Sequence, residues 1–244
     1  MPASRFFKIL DSVDSTNNYA MAQVHAGMAK HGMAWFAREQ ATGKGQRGRG
    51  WDSESGKNIA LSLVLQPELL NITQGFFLSA TVALACHELF SIYAGDETSI
   101  KWPNDLYWRD RKAGGILIEN VQQGAAWKYA IAGVGININQ TTFNSELKNP
   151  VSLKQITGKD HDAARLGEEL YELIMKRISA MKTISFEETL KAYNQHLFGL
   201  NKTVRLKKGN AVFETVIKEV NTYGQLVTVD AVERTFEFGE VSWV

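Results

Sequence analysis

Between Gln40 and Trp51 the chain runs Gln-Ala-Thr-Gly-Lys-Gly-Gln-Arg-Gly-Arg-Gly-Trp, with glycines at 43, 45, 48 and 50, cations at Lys44, Arg47 and Arg49, and no acid. Glycine weakens the interior of helices and strands, so this stretch is a loop, and the apolar runs at 34–39 and 59–65 beside it read as the strands it joins. A connection of that length usually carries function. Its glycines let backbone N–H groups approach an anion, and its cations supply charge-assisted donors. A basic solvated hairpin or an RGG-like nucleic-acid segment fits the same residues, and the stretch alone does not separate these readings.

A chain of 244 residues accommodates one large domain and a small one. There are 27 Lys and Arg against 26 Asp and Glu, so the basic loop is a local concentration on a balanced protein, suited to a small anionic ligand rather than a long polyanion. No charged start leads into a long apolar run, and no uninterrupted apolar segment reaches spanning length, so the expectation is a cytoplasmic protein with no membrane partner. Cys86, within the apolar run 80–86, reads as a buried core thiol, and the five histidines are scattered.

The patterning predicts a strand at 6–10, then a helix capped by Ser15 that runs to about residue 29 and ends near Gly32. An apolar helix follows at 74–94, with strands at 99–102, 116–119, 127–132 and 134–138 and amphipathic helices at 164–182 and 186–197. Short alternating strands at 203–207, 211–220, 225–229 and 235–241 close the chain. This is an α+β protein: a mainly antiparallel sheet with helices packed on it over residues 1–197, and a small β-barrel over 198–244. Ser15, Thr16 and Asn17 then stand at a helix N-terminus, where they can hold polar ligand atoms or simply cap. If exposed, the strand at 134–138 supports a homodimer by edge pairing.

A second block, Lys101-Trp102-Pro103-Asn104-Asp105, is followed by Arg111-Lys112-Ala113-Gly114-Gly115-Ile116-Leu117-Ile118-Glu119. Together with the glycine-rich loop, Asp14-Ser15-Thr16-Asn17-Asn18 before a helix, and Gly133-Val134-Gly135-Ile136-Asn137-Ile138-Asn139 after a strand, it resembles the biotin protein ligases over about residues 11–140. The resemblance implies a class II aminoacyl-tRNA synthetase/biotin synthetase-like fold with a C-terminal SH3-like β-barrel. It also implies a monofunctional biotin–[acetyl-CoA-carboxylase] ligase with no DNA partner, because no helix-turn-helix precedes the catalytic region.

Such an enzyme joins biotin and ATP into biotinyl-5′-AMP and passes biotin to a lysine of a biotin carboxyl carrier protein, with Mg2+ arriving on the ATP phosphates. By resemblance Lys112 is the catalytic cation, screening the biotin carboxylate from the α-phosphate. The biotin contacts fall on Ser15, Thr16, Asn17, Gln40, Gly43, Lys44, Gly45, Gln46, Lys112, Gly114 and Gly115. ATP and the adenylate fall to Arg47, Arg49, Trp51, Asp105, Gly133 and Asn137, with Trp51 as a stacking face for adenine, though ordinary core burial explains that ring as well. Asn137 matches the position that reads the adenine edge. Gln46 stands where many members carry arginine, which bears on how tightly an adenylate is retained.

Gly133 and Gly135 lack the third glycine and the helix of a dinucleotide fingerprint, and residues 50–57 do not form a P-loop. Two rivals remain: a lipoate or octanoyl ligase or transferase of related fold, and a nucleic-acid-binding module built on Arg47, Arg49 and the barrel, which would show salt-dependent oligonucleotide affinity.

Overall fold

The computed structural model describes residues 6–67, 70–124 and 126–244. Seven strands form one sheet: β1 (Phe7–Val13), β2 (Ala34–Gln40), β3 (Ile59–Leu65), β4 (Thr98–Lys101), β5 (Asp105–Trp108), β6 (Arg111–Gln123) and β7 (Ala126–Ile136). Their order is β1-β2-β3-β7-β6-β5-β4. β1 and β2 are parallel and every other pair is antiparallel, so the sheet is mixed. The parallel pair needs a crossover, which is α1 (Thr16–His25).

Period-2 alternation divides the sheet between two cores. In β2, Ala34 and Phe36 face the main core and Trp35 the smaller one under α1; in β7, Ala132, Val134 and Ile136 face the first and Ile131 the second. The main face is covered by α2 (Gly75–Ala94), α4 (Ala163–Ala180) and α5 (Phe186–Gln195), with the single turn α3 (Leu153–Thr157) between α2 and α4 in sequence. Asp162 and Ser185 accept backbone N–H bonds at the starts of α4 and α5, as good capping residues do. The segment Ile72–Ala94 is, contrary to the sequence expectation, long and apolar enough by composition to span a bilayer; 67% of its most apolar stretch is buried within the protein, where it forms the central core helix.

The elements correct the sequence reading at several points. α1 stops at His25 because Gly27, at φ 70°, takes up the left-handed conformation that closes a helix, well before Gly32. The strands predicted at 127–132 and 134–138 are one continuous strand, β7, because Gly133 stays in the ladder. β7 is paired on both sides, by β3 and β6, so it offers no edge for a homodimer. β5 and α3 escaped prediction, being 4 and 5 residues long.

The C-terminal segment forms a second sheet from β8 (Thr203–Lys208), β9 (Ala211–Val220), β10 (Leu226–Val229), β11 (Glu233–Phe236) and β12 (Ser242–Trp243), in the order β11-β10-β9-β8-β12. The strand predicted at 235–241 is interrupted by a turn in which Glu240 N donates to Glu237 O at 3.0 Å and Gly239 has φ 83°, so β11 joins β10 and β12 crosses to β8. β11 and β12 do not pair, and the sheet is open rather than a closed barrel. Asn194 fastens it to α5, donating to Val220 O at 2.9 Å and accepting from Val220 N at 2.8 Å.

Candidate active site

Directly opposed residues of an antiparallel ladder share a face. β3, β7 and β6 place Ser62 opposite Gly133 and Gly133 opposite Leu117; Gly135 is opposite Gly115, which in turn faces Asp105 of β5. These residues therefore lie on the α1 face; Asp105, Gly115, Leu117, Gly133 and Gly135 form the floor of a cavity of about 1190 Å³, with Ser62 buried beside it. Its walls are the start of α1, the glycine-rich loop, the turn between β4 and β5, and residues of the C-terminal sheet. The structure brings all the sequence-predicted site residues to this cavity except Gly114.

At one end, Thr16 N and Oγ1 both donate to Gln40 Oε1, at 2.8 and 3.0 Å. Ser62 Oγ lies 2.7 Å from Thr16 Oγ1 and 2.6 Å from Asn17 Oδ1, and its single proton serves one of them at a time. Asn17 Nδ2 donates to Glu119 Oε2 at 2.7 Å, and Glu119 Oε1 lies 3.7 Å from Lys44 Nζ of the loop. Ser15 occupies the N-cap position of α1, but its side chain makes no capping bond; it is buried and lines the cavity. The sequence reading missed Ser62 and gave Glu119 no role. Both carried a signal: Ser62 is the one hydroxyl in Ile59–Leu65, and Glu119 an acid directly after Ile116-Leu117-Ile118.

The glycine-rich loop folds as a hairpin in which Trp51 N donates to Gly43 O at 2.8 Å and Gly45 N to Arg49 O at 2.7 Å, so Lys44 pairs with Gly50. Gly43 is needed for this closure because a Cβ there would overlap the Trp51 carbonyl. Arg49 and Gln46 line the cavity. Arg47, expected on a phosphate, donates instead from Nη2 to Phe238 O at 3.2 Å. Trp51 packs so closely on β7 that a Cβ at Gly135 would stand 2.5 Å from its ring; the ring lines the cavity as well as packing.

At the other end, Lys112 Nζ meets Asp105 Oδ1 at 2.6 Å, both side chains partly exposed. Gly115 leaves room over this pair, its missing Cβ 3.4 Å from Asp105 Oδ1 and 3.6 Å from Lys112 Nζ. Asn104 pins the preceding turn by donating to Ile116 O at 2.6 Å and accepting from Ile116 N at 2.9 Å. Lys101, which the sequence reading left without a role, donates to Tyr107 Oη at 3.1 Å. It lies 4.4 Å from the Tyr107 ring centre and 4.8 Å from that of Trp243, and burial lowers its pKa to about 8. Buried Asn137 donates to Val151 O at 3.1 Å, which leaves one amide hydrogen and the carbonyl for a ligand.

Two glycines have partners other than those expected. Gly114 does not line the cavity; its missing side chain lets β6 approach β7, since a Cβ would lie 2.7 Å from Gly135 O. Gly133, read as a nucleotide contact, faces Asn17 at the opposite end.

The cavity thus has a polar pocket at one end, a glycine hairpin above and a lysine–aspartate pair at the other end. Residues 9–137 match the biotin/lipoate A/B protein ligase family, and the chain belongs to it. It is 30% identical over 224 residues to the bifunctional ligase/repressor BirA of Bacillus spizizenii, covering 90% of this chain and 65% of that protein, so it spans about two thirds of that relative's length. It is 28% identical to the biotin–[acetyl-CoA-carboxylase] ligase of Paracoccus denitrificans, covering 90% of this chain and 92% of that one. The Aquifex aeolicus biotin protein ligase, solved in complex with biotin and ATP, superposes with a TM-score of 0.82 at 26% identity, covering 98% of each chain.

Proposed function

We propose that this chain is a biotin–protein ligase: it condenses biotin with ATP to biotinyl-5′-AMP and pyrophosphate, then transfers biotin to a lysine of a biotin carboxyl carrier protein. The observation that carries this reading is the Lys112–Asp105 pair lining the same cavity as Thr16, Asn17 and Gln40, which buried Ser62 braces from behind. A carboxylate does not acylate an amine in neutral water, because oxide is a poor leaving group; the mixed anhydride with AMP supplies a good one. Bringing a carboxylate to about 4 Å from the α-phosphate costs about 4 kcal/mol at an effective dielectric of 20. The Lys112 ammonium, steered by Asp105, offsets that repulsion and stabilises the charge that develops on the transferring oxygens. In the first step the carboxylate oxygen bonds to phosphorus and pyrophosphate leaves; in the second the neutral amine of the acceptor attacks the acyl carbon and AMP leaves with the anhydride oxygen. The hairpin of residues 43–51 shields the anhydride from water between the steps.

Lipoate is disfavoured by the polar end of the cavity. Its dithiolane ring has no donors or acceptors to use the remaining hydrogen-bonding capacity of Thr16, Asn17 and Gln40, whereas a ureido ring does. Trp51, packed on Gly135, offers adenine a stacking face, and Asn137 a donor and an acceptor. Mg2+ enters as part of the nucleotide, on its phosphate oxygens. We take residues 1–197 as the catalytic domain and 198–244 as an SH3-like module, in a protein that works in the cytoplasm. Incubation with labelled biotin, ATP and a carrier domain tests the reading: ATP-dependent labelling of the carrier lysine supports it, whereas labelling by lipoate, or none, ends it.

A further inference from the structure

The chemistry above gives no task to the one strained residue of the hairpin. Arg47 holds φ 56° and ψ 40°, a left-handed conformation that side chains other than glycine seldom adopt. That backbone turns its guanidinium out of the hairpin onto the turn between β11 and β12, where Nη2 donates to the Phe238 carbonyl at 3.2 Å and Cζ stands 4.7 Å from the centre of the Phe238 ring. The seat exists only because the next residue is Gly239: a Cβ there would overlap the guanidinium. The Phe238 ring also meets Trp102 edge-on at 6.4 Å between centres, and Trp102 Nε1 donates to Gly224 O at 2.9 Å. The seat is thus fastened to the turn that presents Asp105 to Lys112.

We propose that Phe238 and Gly239 are positioning residues for the known reaction of the family: they seat Arg47, hold the glycine hairpin over the cavity, and so set how long the acyl adenylate stays bound. This rests on the biotin-ligase reading for its substrate. Physically, a strained residue relaxes when the hairpin opens, so closure depends on an external contact, and the only one that Arg47 makes among the described residues is this seat. Opening breaks the cation–aromatic contact and the hydrogen bond together.

Two readouts on the full chain test it. With adenylate formed in place from biotin and ATP, its release is followed after a chase of unlabelled biotin; separately, trypsin cleavage within residues 44–49 is timed without any substrate. Phe238→Leu keeps size and apolarity but removes the ring face, and release is expected to quicken about fivefold, the upper range of an exposed cation–aromatic contact. Phe238→Tyr is expected to restore the wild-type rate, a rescue that a purely structural role does not demand. Gly239→Ala, which displaces the guanidinium and also strains the turn at φ 83°, is expected to quicken release further, and both disruptive variants to speed cleavage, with Phe238→Leu the cleaner of the two. Wild-type release and cleavage in Phe238→Leu and Gly239→Ala overturn the proposal. If the wild type forms no adenylate, the biotin-ligase reading falls, and the seat stands or falls on the cleavage rates alone.

Discussion

Gly133→Ala adds a single methyl group to the floor of the cavity, and the structure fixes what that methyl meets. Gly133 is not among the residues with positive φ, so β7 accepts alanine without backbone strain. The new Cβ would lie 2.8 Å from Asn17 Cγ and 3.0 Å from Nδ2, and closer still to Oδ1, so the Asn17 amide has to rotate away. Rotation gives up the 2.7 Å bond to Glu119 and the 2.6 Å bond from Ser62. A hydrogen bond to a charged group contributes about 1.5–3 kcal/mol and a neutral one about 1 kcal/mol. The free protein loses these bonds too, so stability falls by about 1–3 kcal/mol. Biotin loses the preset amide, one neutral bond and part of its neighbours' alignment, about 2–3 kcal/mol, or roughly 30- to 150-fold in Kd. Calorimetric titration with biotin alone measures this, and the double-mutant cycle with Asn17→Ala isolates the cause. Asn17→Ala removes all three clashing atoms, so in that background Gly133→Ala is expected to add little. Strictly additive losses, or undiminished biotin affinity in Gly133→Ala, would show that the glycine is not there to admit Asn17.

Three further outcomes are expected. Lys112→Ala slows pyrophosphate release by about 100- to 1000-fold with biotin affinity nearly retained, as loss of a transition-state cation requires; unchanged turnover removes Lys112 from that role. Gly135→Ala drives a methyl into the Trp51 ring and raises KM for ATP while leaving biotin affinity in place; an equal loss of both ligands contradicts the two-ended cavity. His87, held in a stack with His196 at 3.9 Å, has its pKa lowered to about 4, first by burial, then by His196 and Arg177, against the opposing pull of Thr98 O and Glu88. The folded state therefore resists a proton that the unfolded chain takes up below about pH 6.5. Stability is lost as pH falls from there towards 4, and His87→Gln should flatten that part of the melting-temperature profile.

What the sequence disclosed was chemistry attached to local pattern. The glycine hairpin, the Lys101–Asp105 block and the helix start at Thr16 were legible because each needs residues within a few positions of one another. Strands β3 and β9 were placed to the residue, since their apolar or alternating runs end at clear turn signals. The misreadings concern residues whose reason lies across the sheet. Gly133 looks like a strand breaker and Gly135 like an ordinary strand position, yet both are glycine because Asn17 and Trp51 press on them from 116 and 84 positions away. Ser62 looks like an interruption of a core strand until register sets it opposite Gly133. Arg47 reads as one of three equivalent cations, and only the position of Phe238, at the far end of the chain, separates it from Arg49.

Register also explains how one cavity could serve the two unlike substrates of the proposed reaction. Residues i and i+2 of a strand share a face about 6.8 Å apart, at about 3.4 Å per residue. Gly133 and Gly135 are such a pair: the first receives Asn17 from the polar end and the second Trp51 from the end read as the nucleotide's. Across the ladder, Gly135 sits opposite Gly115, the residue that leaves room over the Lys112–Asp105 pair. Two neighbouring floor positions of β7 therefore stand beneath Asn17, proposed above to bind biotin, and beneath the Trp51 ring, proposed to stack on the nucleotide, with Lys112 beside the second. The distance between the two floor positions belongs to the β-strand itself, whereas the ring over the second is delivered by the hairpin. A slip of one residue between β6 and β7 would turn Gly115, Leu117 and Glu119 to the opposite face and dismantle both ends at once. Trp51 belongs to the closed hairpin, held by its bond to the Gly43 carbonyl, so opening the hairpin would carry one end of this ruler away while the floor glycines stay in place.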